Sequence, residues 1–158
     1  MFGHLIEWWA SVYANHAALR TAVEFVHVGG LLAGGGCAIA ADRSTLLTAW
    51  QDELTRATQL RSLRQTHRIV LVGIALMAVS GVLLVGADAG TFLASRMFWL
   101  KMGLLGLLMA NGALIVRIER RAEVGDDAAW RHLRFTSTAS LALWFLTTLA
   151  GAALPNLG

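Results

Sequence analysis

The chain has 158 residues, 56% of them apolar, with one proline, one cysteine and a formal net charge of +3. A mean hydropathy of +0.59 is more than a soluble domain of this length needs; it points to a small membrane protein with no room for a separate soluble domain. The basic balance does not imply a nucleic-acid partner, because the arginines sit in short connections between apolar runs, where positive charge reports membrane topology.

The opening stretch MFGHLIEWW lacks the basic region and the small-residue cleavage site of a secretory leader, so membrane insertion is expected to rely on the first span. Phe2, Leu5, Ile6, Trp9, Tyr13 and Ala17 recur at helical spacing. They predict an amphipathic helix over about residues 2–17, lying in the bilayer interface where Trp and Tyr prefer to sit. His4 and His16 belong to this segment and are expected at the surface.

Four apolar windows follow, at 21–41, 69–87, 98–116 and 135–154. Each is about 20 residues, enough to cross a hydrocarbon core of ~30 Å at 1.5 Å per residue. The connection after the first window carries Arg43, Arg56, Arg61, Arg64 and Arg68, and the one after the third carries Arg117, Arg120, Arg121, Arg131 and Arg134. The other side has only Arg20, Arg96 and Lys101. The positive-inside rule therefore makes both long loops cytoplasmic and both termini external. In the first loop Leu46, Leu47, Trp50, Leu54, Ala57 and Leu60 form another apolar stripe, expected as a second interfacial helix. The DAGTFLASR connection is short and predicts a tight hairpin of spans two and three. Gly125-Asp126 predicts a turn between two helices, with acids opening the second. The expected fold is an all-α, integral membrane four-helix bundle with these two amphipathic helices. Its packing faces are marked by small residues: Gly30 and Gly34, then Gly73, Ser80 and Gly81, then Gly103, Gly106, Ala110 and Gly112, then Ala150 and Gly151.

The chemistry is carried by the polar residues inside these windows. In RTAVEFVHVGG, Arg20, Glu24 and His27 fall on one helix face, and Lys101 sits at a similar depth within MFWLKMGLLGLLMANG. An ionisable group in hydrocarbon is costly and is a functional-site hypothesis by default. One reading is a buried Glu24 and Lys101 ion pair with His27 hydrogen-bonded beside it. The other makes His27 an axial ligand of haem iron, a role that suits a neutral imidazole. Lys101 is then either the opposite ligand, if burial keeps it neutral, or a charge that holds a haem propionate or a quinone oxygen. Glu24 becomes a proton carrier or a supporting partner. His67 and His132, at the cytoplasmic ends of spans two and four, are candidates for a second haem or are solvated side chains. Cys37 is expected as a small buried residue, and Asn111 is expected to hydrogen-bond another helix, with the Ser and Thr groups of span four as candidates. No covalent haem motif, phosphate loop, metalloprotease motif or nucleophile triad is present.

VEFVHVGGLLAGGG and GIALMAVSGVLLVGADAGTFLASRMFWLKMGLLGLLMANG resemble a family of small bacterial four-helix membrane proteins of uncharacterised activity. The matching positions are Glu24 and His27, then Ser80, Gly81, Ala87 and Asp88, then Phe98 and Lys101. More remotely, a histidine in the first helix with a lysine early in the third is similar to the haem-containing membrane protoporphyrinogen oxidases and to copper-resistance D-type membrane domains. That likeness implies haem at His27 and Lys101. The chain lacks most of the oxidases' other intramembrane polar residues, so the likeness implies a haem site rather than that enzyme's reaction. The expected function is b-type haem or quinone binding for electron transfer to a redox partner. The alternative is a non-catalytic accessory subunit of a larger membrane complex.

Overall fold

The computed structural model describes residues 2–157, with side chains over 3–154. Its elements are α1 (Phe2–Asn15), α2 (Ala17–Gly30), a π turn (Leu31–Gly35), α3 (Gly36–Thr48), α4 (Glu53–Ala87), α5 (Ala89–Ala94), α6 (Arg96–Glu123) and α7 (Asp127–Leu157). Among the described residues there is no strand. α2, the π turn and α3 run on as one helix, and it, α4, α6 and α7 are each long and apolar enough to cross a membrane. Large side chains such as Phe25, Leu32, Val82, Phe135 and Phe145 stay exposed along them, as a lipid-facing surface requires. The chain is a multi-pass membrane protein.

Helix ends follow local chemistry. Asp52 Oδ1 accepts from the Thr55 N–H at 2.8 Å, capping α4, and this bond holds the exposed Asp52 carboxyl below its ordinary range. Ser95 Oγ accepts from the Phe98 N–H at 3.2 Å at the start of α6. The expected Gly125-Asp126 turn is present: Gly125 has φ +86, which only glycine adopts without strain, and Asp126 accepts from the Ala128 N–H at 3.0 Å.

Two expectations about the connections are corrected. The stripe from Leu46 to Leu60 does not form a separate interfacial helix. It is divided between the end of α3 and the start of α4 by a tight turn that the Asp52 cap closes. Ala49 and Leu60 go into the core, whereas Leu47, Trp50 and Leu54 face outward. Spans two and three do not form a tight hairpin either, because α5 stands between α4 and α6, which touch only slightly.

The packing instead makes two pairs, α6 with α7 and α2 with α4, joined where α3 meets both α4 and α7. The buried core lies at the arginine-rich end: Ala49, Leu60, Leu63, Ile118, Ala122, Ala129, Trp130 and Leu133. Gly30, Gly34 and Gly73 bring α2 and α4 together as their spacing predicts. A Cβ at Gly73 would stand 2.5 Å from the Gly34 Cα. Gly103, Gly106 and Gly112 have nothing within 4 Å of an added Cβ, so the small-residue face expected of span three is open. α1 packs over the other end of α4, where Trp9 Nε1 donates to the Leu83 carbonyl at 2.8 Å. Its Leu5, Ile6 and Trp8 are exposed, consistent with the amphipathic reading.

Candidate functional site

His27 is half-buried on the last turns of α2, facing α4. Its Nδ1 lies 3.0 Å from Ser80 Oγ. Ser80 is 2% exposed, and its single hydroxyl proton already goes to the Leu76 carbonyl at 2.6 Å. The serine oxygen is then left to accept, which favours the tautomer with the imidazole proton on Nδ1 and the lone pair on Nε2. A bonded Nδ1–H with a bare Nε2 is the arrangement of a metal-ligating histidine, whose orientation is set by its outer partner. Gly81, next along α4, lets the ring lie close: a Cβ there would be 3.4 Å from His27 Cε1.

Lys101 is half-buried on the first turns of α6 and lies over Gly151 of α7, where a Cβ would stand 3.4 Å from its Nζ. One turn earlier on α7, Thr147 is 4% exposed and its Oγ1 has no hydrogen-bond partner among the described residues. The Lys101 charge acts on the His27 ring, with His27 on the α2 and α4 pair and Lys101 on the α6 and α7 pair.

Glu24 does not join them. It is exposed, its partner is the Tyr13 hydroxyl of α1 at 3.4 Å, and Lys101 has no carboxylate within ion-pair distance among the described residues. The expected Glu24 and Lys101 ion pair is therefore absent, because α2 packs on α1 and α4 rather than on α6. Burial and then the Glu24 carboxylate hold the Tyr13 hydroxyl above its ordinary range.

His67 and His132 are not brought together as a ligand pair. His67 Nε2 faces Glu119 Oε1 of α6 at 3.7 Å, His132 is exposed on α7, and α4 and α7 share no extended packing face. Among the described residues no group of three or more His, Cys, Asp or Glu side chains could hold a metal ion. Haem would ask for one or two nitrogen donors, and His27 is the candidate. His4 and His16 are exposed as expected. Cys37 is half-buried and free. Asn111 Nδ2 donates to the Thr136 carbonyl at 2.9 Å, tying α6 to α7.

A second polar cluster lies at the arginine-rich end. Asp42 (6% exposed) meets the hydroxyls of Ser137 and Ser140 on α7. Glu119 (6% exposed) has an Oε1 without a hydrogen bond among the described residues. Gln59 Nε2 donates to Thr45 Oγ1 at 3.3 Å, and Ser44 Oγ donates to Gln59 Oε1 at 2.8 Å. Sequence reading assigns Asp42 and Glu119 to loops because arginines flank both. The available signal is phase: Glu119 continues the run Leu108, Asn111, Ile115 and Ala122, whose spacings of three and four mark the inward face of α6.

Compared with protein families, curated proteins and solved structures, the chain matches none.

Proposed function

We propose that the chain binds b-type haem between its two helix pairs, with His27 Nε2 as an axial ligand, and passes electrons to a redox partner. The observation that carries this reading is the bond of Ser80 to its own helix, which favours a proton on His27 Nδ1 and an outward lone pair on Nε2. Three features support the fit: glycines beneath both His27 and Lys101, an orphaned buried hydroxyl at Thr147, and the lack of an extended contact between α2 and α6. Haem, when bound, supplies one-electron redox chemistry. The chain's own role is to hold the ligand nitrogen in one tautomer and to present a cation opposite it. As an ammonium, Lys101 would pair with a propionate; as a neutral amine, it would supply a second donor. The same donor and cation would also suit a quinone oxygen. By the positive-inside rule the site faces the outer leaflet of a bacterial inner membrane, with both termini outside.

The test is a reduced-minus-oxidised absorption spectrum of mildly solubilised protein. A sharp b-type band that disappears in His27→Ala and weakens or shifts in Lys101→Met is expected. A flat spectrum from folded protein overturns the haem reading, and extraction of bound quinone then decides whether the site holds that instead. A second reading, an accessory subunit, is favoured by the open Gly103, Gly106 and Ala110 face of α6. Co-purification with a larger complex, without chromophore, distinguishes it.

A further inference from the structure

The first function concerns the end of the bundle that carries His27; the arginine-rich end holds a group that haem binding does not use. Glu119 is a carboxyl almost wholly withdrawn from water, and its Oε1 accepts no hydrogen bond from the described residues. The nearest guanidinium, Arg64, is committed elsewhere: its Nε and Nη2 donate to Glu123 Oε1 and Oε2 at 2.8 and 2.6 Å. The charges of Glu123 and Asp42 act on Glu119 and that of Arg64 opposes them, so an ionised Glu119 would face two further carboxylates with only a cation already bonded to Glu123 to offset them. His67 Nε2, at 3.7 Å, is too far for a direct hydrogen bond. A cavity of about 240 Å³ opens beside them, lined by Arg64, His67, Val116, Glu119, Arg120 and Glu123. That is room for several waters at ~30 Å³ each.

We propose that Glu119 is a proton-exchange site, loaded from water in this cavity and coupled inward to Asp42. A proton delivered by hydronium bonds to Glu119 Oε1 and leaves water behind. It converts a bare buried charge into a neutral donor, which a bridging water can connect to the Nε2 of a neutral His67. On release the proton returns to cavity water or passes to Asp42, whose other neighbours are the Ser137 and Ser140 hydroxyls. The groups that face Glu119 are Asp42 from α3, Arg64 and His67 from α4, and Arg120 and Glu123 from α6. α7 adds no charge there, since Arg134 is stacked on Trp50 at 4.0 Å and Asp127, Arg131 and His132 are exposed. The site does not rest on the haem reading.

Infrared difference spectroscopy on the full chain in lipid nanodiscs tests it, stepping from about pH 5 to about pH 9, above the ordinary carboxylate range. The expected result is a carbonyl stretch of a protonated carboxyl that persists at neutral pH, titrates above it and is lost in Glu119→Gln. Asp42→Asn should shift that titration to lower pH, because removing a neighbouring negative charge makes ionisation of Glu119 easier. Absence of the band at neutral pH in the wild-type protein overturns the proposal, as does a band unchanged in Glu119→Gln. If Glu119→Gln does not fold, an unshifted titration in Asp42→Asn overturns it instead.

Discussion

At the residue scale, Ser80 decides what His27 can do. Its hydroxyl is fixed by the Leu76 carbonyl on its own helix, so its acceptor lone pair is presented to α2. Ser80→Ala keeps the volume nearly constant but removes that acceptor. Under the proposed haem reading, loss of such an outer partner should weaken haem retention by about 10- to 100-fold while leaving the fold intact. Haem titration of the stripped protein checks this, and unchanged affinity would mean that Ser80 only packs. His27 and Lys101 were legible in the sequence because a charged or titratable residue stands out within an apolar window. The partner of His27 was not, since 53 residues separate it from Ser80 and a serine in a membrane helix bonds its own backbone by default. Glu119 was hidden for the opposite reason: Arg117, Arg120 and Arg121 surround it in sequence, although its side chain turns inward.

At the element scale, the contrast among glycines separates contact from composition. The Gly73 backbone meets Gly34 and Gly30, so a methyl group at Gly73 must push the α2 and α4 backbones apart rather than displace a flexible side chain. Gly73→Ala should cost about 1–3 kcal/mol through overpacking, read as a lower melting temperature in detergent. Gly103→Ala meets nothing within 4 Å and should leave that temperature unchanged or slightly raised. Both positions look alike in sequence, as small residues in apolar spans. The helices themselves were readable from hydropathy and length, and their caps from Asp52, Ser95 and Gly125-Asp126. The choice among neighbours was not: the chain brings α4 next to both the first span and α6, and the close glycine contacts give it to α2.

At the scale of the whole molecule, cohesion is concentrated where the arginines are. Trp130 and Leu133 of α7 close the core against α3, α4 and α6, with Arg56 stacked over the Trp130 ring at 5.3 Å. Leu133 is 0% exposed, and Leu133→Ala should cost about 2–5 kcal/mol, far more than truncation of the lipid-facing Leu149, which is 65% exposed. Detergent melting curves of the two variants compare them directly. No hydropathy profile distinguishes Leu133 from Leu149, because in a membrane protein both core and perimeter are apolar and only the three-dimensional neighbours differ.

The π turn at Leu31–Gly35 carries this distribution a step further. Just before it Gly30 meets α4, and at its end Gly34 meets α4 while Gly35 meets the Trp144 ring of α7. A wider turn holds one residue more than an α-turn, so it acts as an insertion that the chain absorbs without a loop. Winding the same residues as an unbroken α-helix, with none removed, would rotate everything after the turn by about 100° relative to what precedes it. Asp42 would then swing away from Ser137 and Ser140 while His27 kept its place. The proton-handling end and the imidazole end of this molecule are thus set in phase with each other by a single amino acid of spacing.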